Sequence, residues 1–196
     1  MILPVYAYGH PVLRAECADI DNNFPDLDSL IDNMFETMYH AKGVGLAAPQ
    51  IGKNIRLFIV DATPMAEDYK DGQTEQEKAE YEFLSDFKRV FINPIIIDEY
   101  GEKWGFEEGC LSIPDIRGEV ERQPEILLEY YDRDWNLREE RFKGFAARVI
   151  QHEYDHIEGI LFTDLLHPIR RRLVSRKLQN IKSGNIQTKY PMKFVR

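Results

Sequence analysis

Gln151-His152-Glu153-Tyr154-Asp155-His156 is the stretch on which the reading of this sequence turns. It holds the pattern His-Glu-x-x-His inside a run from Gly144 to His156 that is helical in character, with Gly159 placed to end it. Residues four apart share a helix face, so His152 and His156 can reach one ion. Glu153, beside the first histidine, can reach a water on that ion. The segment from Phe145 to Ile150 is apolar enough to be buried, and buried imidazoles and a carboxylate are costly unless something binds them. The same pattern also arises by chance on polar helix faces. Two histidines are too few for a tight site, since catalytic zinc-type sites use three protein ligands and leave a further position for water.

The third ligand therefore decides the chemistry. A His-Glu-x-x-His-x-x-Gly-x-x-His site fits as far as Gly159 and then meets Phe162. No Glu follows Glu158, which leaves Asp164 and His167 downstream. Upstream, Cys110 stands in Glu-Gly-Cys-Leu-Ser, at an expected strand-to-turn edge from which a thiolate can approach the helix. Alone, Cys110 reads as a core cysteine; beside an incomplete ligand set it reads as a third donor.

Working outward, residues 24–42 carry Leu27, Leu30, Ile31, Met34, Phe35 and Met38 at helical spacing, and Gly43 is a plausible stop. Residues 43–52, GVGLAAPQIG, are too rich in glycine and small residues for a helix and are read as a loop. Residues 55–61 and 89–97 read as strands, the second with an edge or bulge at Pro94. Residues 102–107 form a further strand, and 125–131 with 137–142 form a hairpin around the polar Asp132–Asn136 turn. Between them, residues 62–86 hold eight acidic and two basic residues and little apolar periodicity, the mark of a solvated surface insertion away from the ion. Residues 164–182 read as a basic C-terminal helix. With no alternation of strand and helix, the fold class is α+β: mostly antiparallel sheets packed around a central helix carrying His-Glu-x-x-His, with a C-terminal helix.

The chain has 196 residues, 43% hydrophobic and 30% charged, the balance of one globular domain spanning residues 1–196. No apolar run approaches the roughly 20 residues of a membrane span, and the N-terminus lacks the layout of a signal peptide, so the cytoplasm is expected. Two cysteines, Cys17 and Cys110, make no disulfide framework. The net charge of −9 is uneven: residues 164–196 carry +8 and the rest −17. An acidic body is not expected to bind DNA, whereas its basic tail can seek phosphates.

Three motifs, in order, resemble those of the peptide deformylases: GVGLAAPQ at 43–50, EGCLS at 108–112 and QHEYDH at 151–156. Pro11-Val12-Leu13-Arg14 and the run from 125 to 163 resemble members too, so the likeness covers residues 1 to about 180. The resemblance implies that Cys110, His152 and His156 are the metal ligands and Glu153 the general acid/base acting on the ion's water. Gln50 and the backbone N–H of Leu111 would then be the donors to the oxyanion. It puts Gly45 on the loop lining the substrate cleft, makes Val44, Phe106, Phe145 and Val149 candidate walls of the methionine pocket, and sets Arg117 beside the peptide. Glu108 and Arg122 are read as a supporting ion pair. Arg148 departs from relatives that are apolar there, so it either narrows the pocket or pairs with an acid outside it.

The implied reaction removes the formyl group from the N-terminal formyl-methionine of nascent polypeptides and releases formate. The small residues at 43–48 fit it, because a backbone close to the ion excludes acetyl and larger groups. One thiolate and two imidazoles suit Fe²⁺, Zn²⁺, Ni²⁺ or Co²⁺, and the resemblance implies Fe²⁺ as the native ion. The implied partners are formyl-methionyl nascent peptides and, through the basic C-terminal segment, the ribosome; no membrane partner is expected. Two rivals stand beside this reading: a zinc peptidase using Asp164 as third ligand, and a deformylase-like protein that binds metal or peptide without turnover.

Overall fold

Residues 57–60 are apolar on both faces, and the computed structural model, which describes residues 1–195, shows why. In chain order the strands are β1 (Val5–Tyr6), β2 (Gly45–Ala47), β3 (Leu57–Asp61), β4 (Lys88–Tyr100), β5 (Trp104–Cys110), β6 (Ile113–Arg122), β7 (Glu125–Tyr131), β8 (Leu137–Lys143) and β9 (Met192–Lys193). The helices are α1 (Leu27–His40), α2 (Thr63–Ala66), α3 (Glu75–Ser85), α4 (Gly144–Ile157), α5 (Phe162–Leu165) and α6 (Pro168–Lys182). In an antiparallel sheet of order β2-β3-β4-β7-β8, β3 lies between β2 and β4. Side chains alternate across a strand, so Leu57 and Ile59 pack with Ile31, Met34 and Met38 of α1. Phe58 and Val60 point the other way and pack with Ala146, Ala147 and Ile150 of α4. The sheet is thus covered by α1 on one face and α4 on the other.

β5 and β6 form a separate antiparallel ribbon. Its Ile113, Ile116 and Val120 pack with Leu161 and Phe162 at the start of α5 and with Val174 and Leu178 of α6. β1 and β9 pair in parallel, joining the two ends of the chain. No helix among the described residues is long and apolar enough to cross a membrane.

Several boundaries differ from the sequence reading. α1 ends at His40, and the left-handed residue beyond it is Lys42 (φ +58°), not Gly43. Gly43 is needed for space, since a Cβ there would lie 2.8 Å from Leu111 Cδ1. Within 43–52, expected as loop, β2 and a 3₁₀ turn at Ala48–Ile51 form. Strand pairing and the Pro49 turn override a composition poor in regular structure. β6 has no counterpart in the sequence reading; it exists because it pairs along β5. The bulge at Pro94 is real: the β4–β7 register shifts between Ile92 and Ile95, and Asn93 (φ +48°) bonds Ile20 through its side chain. The C-terminal helix starts at Pro168 rather than 164, as proline favours the first helical position.

The largest correction concerns residues 62–86, read as a solvated insertion away from the ion. They fold as α2, a 3₁₀ turn and α3, opened by a Thr74–Glu77 capping box. The acidic side chains of α3 do face solvent, but Ala62, Ala66 and Leu84 are buried in the α4 core. Glu80 accepts a hydrogen bond from the Phe145 N–H at the start of α4, 3.3 Å away, where a negative charge suits the positive end of the helix.

Candidate active site

α4 is amphipathic, with His152 and His156 on one face, and their ring centroids lie 5.1 Å apart. The β5 strand ends beside them at Cys110, whose Sγ is 3.2 Å from His156 Nε2. Cys110, His152 and His156 offer donor atoms all within 4.8 Å of one another, the spacing a single metal ion can span. The donor chemistry fits an ion. Burial drives the His156 pKa well below the imidazole norm, keeping it neutral as a ligand must be. Burial also opposes charging of His152, yet hydrogen bonds with Cys110 and Glu108 outweigh it and hold its pKa well above the ordinary value.

Glu108 organises the surroundings. One carboxylate oxygen lies 2.9 Å from His152 Nδ1, which leaves Nε2 of that ring free to face Cys110. Arg122 donates to both Glu108 oxygens, at 2.7 and 3.0 Å, and also pairs with Asp155 at 2.8 Å. Arg148 adds a contact to Glu108 at 3.0 Å, donates to the carbonyls of Val120 and Trp104, and stacks on the Trp104 ring. Glu108, Arg122 and Arg148 are all buried. Although burial pulls the other way, bonds from His152 and Arg122 hold the Glu108 carboxyl well below the usual carboxylate range. The acid that pairs with Arg148 is therefore Glu108 itself, inside the site's supporting shell and not outside it.

Glu153 is buried, and its Oε2 has no hydrogen-bond partner. Burial pushes its pKa up to about 7, partly offset by His152. A carboxyl poised there can both take and return a proton near neutral pH. Gly45 of β2 touches it: a Cβ at Gly45 would lie 2.8 Å from Glu153 Cδ and closer still to Oε1. Gln50, 1% exposed, accepts from the Ala47 N–H through Oε1 at 2.8 Å. That bond turns its Nε2 toward Cys110 Sγ and Ser112 Oγ, at 3.4 and 3.3 Å.

A cleft of about 900 Å³ opens over these groups. Val44, Gly45, Phe106, Arg117, Phe145 and Val149 all line it, together with Gln50, Cys110, Leu111, His152 and Glu153. The sequence reading missed Met65 of α2, and Arg170 and Gln187–Tyr190 of the C-terminal segment. No spacing signal marks these; they arrive by tertiary folding. Asp164, the rival third ligand, is committed elsewhere: it pairs with Arg14 and Arg171 and caps the Leu161 N–H. His167 caps the start of α6.

A three-donor centre, a buried acid beside it and an open cleft define a metal-dependent hydrolase. The model of the family described as Polypeptide deformylase matches residues 2–172. The peptide deformylase of Christiangramia forsetii is 54% identical over 99% of this chain and 96% of that protein. The one from Flavobacterium psychrophilum is 51% identical over 100% and 98%. The crystal structure of a peptide deformylase from Legionella pneumophila superposes with a TM-score of 0.77 at 34% identity, covering 94% of this chain and 98% of that one. The chain belongs to the peptide deformylase family, enzymes that remove the N-formyl group from nascent peptides in a metal-dependent reaction.

Proposed function

We propose that this chain hydrolyses the formyl group of N-terminal formyl-methionine with Cys110, His152 and His156 as metal ligands and Glu153 as general acid/base. The observation that carries this is the convergence of Cys110 from β5 with the two α4 histidines beside a buried, partnerless Glu153 oxygen. Cys110, His152 and His156 would hold a divalent ion, Fe²⁺ natively with Zn²⁺, Ni²⁺ or Co²⁺ able to replace it, and such an ion would lower the pKa of its water toward about 7. Glu153 takes a proton from the attacking water and returns it to the departing amine. Gln50 Nε2 and the Leu111 N–H donate to the formyl oxygen as it gains negative charge. Val44, Phe106, Phe145 and Val149 wall the methionine side chain, while Gly45 and Arg117 border the extended peptide. Gly45 leaves no room beside Glu153, which supports exclusion of acyl groups larger than formyl.

The fold serves this as one catalytic domain over residues 1–196, with α4 as the central helix between the large sheet and the β5–β6 ribbon, and α6 closing the C-terminal side. A substrate still leaving the ribosome assigns the protein to the cytoplasm. The exposed arginines of α6, Arg170, Arg171, Arg172 and Arg176, offer phosphate contacts to ribosomal RNA.

The test is formate release from formyl-Met-Ala-Ser and from its acetylated analogue, using anaerobically prepared protein loaded with Fe²⁺ or Ni²⁺. Release from the formyl peptide alone is expected. No release by folded, fully metallated protein would leave the rival in which the site binds without turnover.

A further inference from the structure

The family match ends at residue 172, yet the cleft does not. Beyond α6 the chain turns back, and Gln187, Thr188, Lys189 and Tyr190 line the cleft wall next to Cys110 and Leu111. The return is anchored. Val5 N–H donates to the Pro191 carbonyl and Ala7 N–H to the Lys193 carbonyl, both at 2.9 Å, and Met192 and Phe194 pack on the core beneath the β5–β6 ribbon. Thr188 Oγ1 donates to the Tyr190 carbonyl at 2.9 Å, shaping the turn that presents the tyrosine. Tyr190 then spans to the Glu-Gly-Cys-Leu-Ser segment, its hydroxyl donating to the Leu111 carbonyl at 2.7 Å. One residue on, the Ser112 carbonyl accepts from the Tyr8 N–H at 2.9 Å. Both carbonyls that follow Cys110 are thus held, one by each end of the chain.

We infer that Tyr190 is a positioning residue for deformylation: by holding the Leu111 carbonyl, its hydroxyl anchors the turn that carries the Leu111 N–H beside the reacting oxygen. The inference rests on the reading of Leu111 as an oxyanion donor. A backbone donor is effective only when held where the charge develops, and small misplacement is expensive. Leu111 lies in the two-residue turn that the Cys110–Ile113 pair closes between β5 and β6, and the constraint on its carbonyl comes from the Tyr190 hydroxyl. The tyrosine bond supplies that constraint from a segment outside the matched family region. The transition-state oxygen needs the donor more than the bound substrate does, so the effect belongs in kcat rather than KM.

The test is Tyr190→Phe, which removes one oxygen and keeps the ring, in the full-length metal-loaded protein. Its kcat on formyl-Met-Ala-Ser is expected to fall about tenfold with KM within about twofold and metal content unchanged. Amide hydrogen exchange across residues 108–112 is expected to speed up. The Gln50→Ala background, where the oxygen depends on Leu111 alone, separates the route: there the Tyr190→Phe loss is expected to be at least as large. Unchanged kcat with wild-type protein active would overturn the inference, as would a loss matched by lost metal, which would mean the tail merely holds Cys110. If the wild type itself releases no formate, the underlying deformylase reading has failed instead.

Discussion

Gly45 and Glu108 make the sharpest claims at the residue scale. Gly45→Ala puts a methyl into the Glu153 carboxyl, with 2.8 Å to Cδ before any relaxation. The carboxylate must move, and displacing the proposed general acid/base costs on the order of 100-fold in rate. We expect kcat to fall by about that factor while metal content holds, read from steady-state kinetics with metal analysis. Glu108→Ala removes one acid from two buried arginines and from His152 Nδ1. Arg122 keeps Asp155, but Arg148 loses its acid, and leaving a buried charge unpaired costs about 3–5 kcal/mol; losing the carboxylate behind His152, a proposed ligand, weakens metal affinity about 10- to 100-fold. Denaturant melts and metal titration are expected to show both losses together. Much at this scale is legible in the sequence: the spacing of His152, Glu153 and His156 marks them as candidates. Cys110 carries no such spacing signal, lying 42 positions before His152; the incomplete ligand set on the helix singles it out, and the fold brings its thiol within reach of both histidines. The role of Arg148 was also illegible, since a buried arginine on an apolar helix face makes sense only once Glu108 is seen opposite.

Among the elements, α3 is the instructive case. Its composition hides its packing, because most of its residues face water and one turn faces the core. Leu84, fully buried there, is expected to cost about 2–5 kcal/mol on truncation to Ala, measured by chemical denaturation. A change within about 0.5 kcal/mol would restore the solvated-insertion reading. The α4 and β7–β8 elements were legible because their periods, helical and alternating, are sustained over long runs. β2 and β6 were not, since their stability lies in cross-strand partners distant in sequence. Gly43 illustrates the same limit: the sequence marks it as a helix stop, while the structure uses it to make room for Leu111.

For the whole molecule, charge separation is the feature that sequence and structure share. The acidic body carries −17 and the C-terminal segment +8, but that segment is no free tail. Val174, Leu178 and Ile181 bury one side of α6, and the end of the chain pairs with β1, so deletion would expose core. Charge reversal at the exposed Arg172 and Arg176 is the clean probe. Ribosome association at low salt is expected to weaken, with a shallower salt dependence, while turnover of a short formyl peptide stays unchanged. Equal binding by the variant and the wild type would reduce the basic face to a counterweight for the acidic body.

The most direct measurement of the central claim is formate release by the Glu153→Gln variant, run with metal analysis on the same sample. Glutamine keeps the shape of the side chain but cannot accept the proton. The account predicts one bound metal ion per chain, a folded protein and formate release lowered by about 100- to 10,000-fold. A fully metallated variant that releases formate at the wild-type rate would contradict it and move the base to another residue of the cleft.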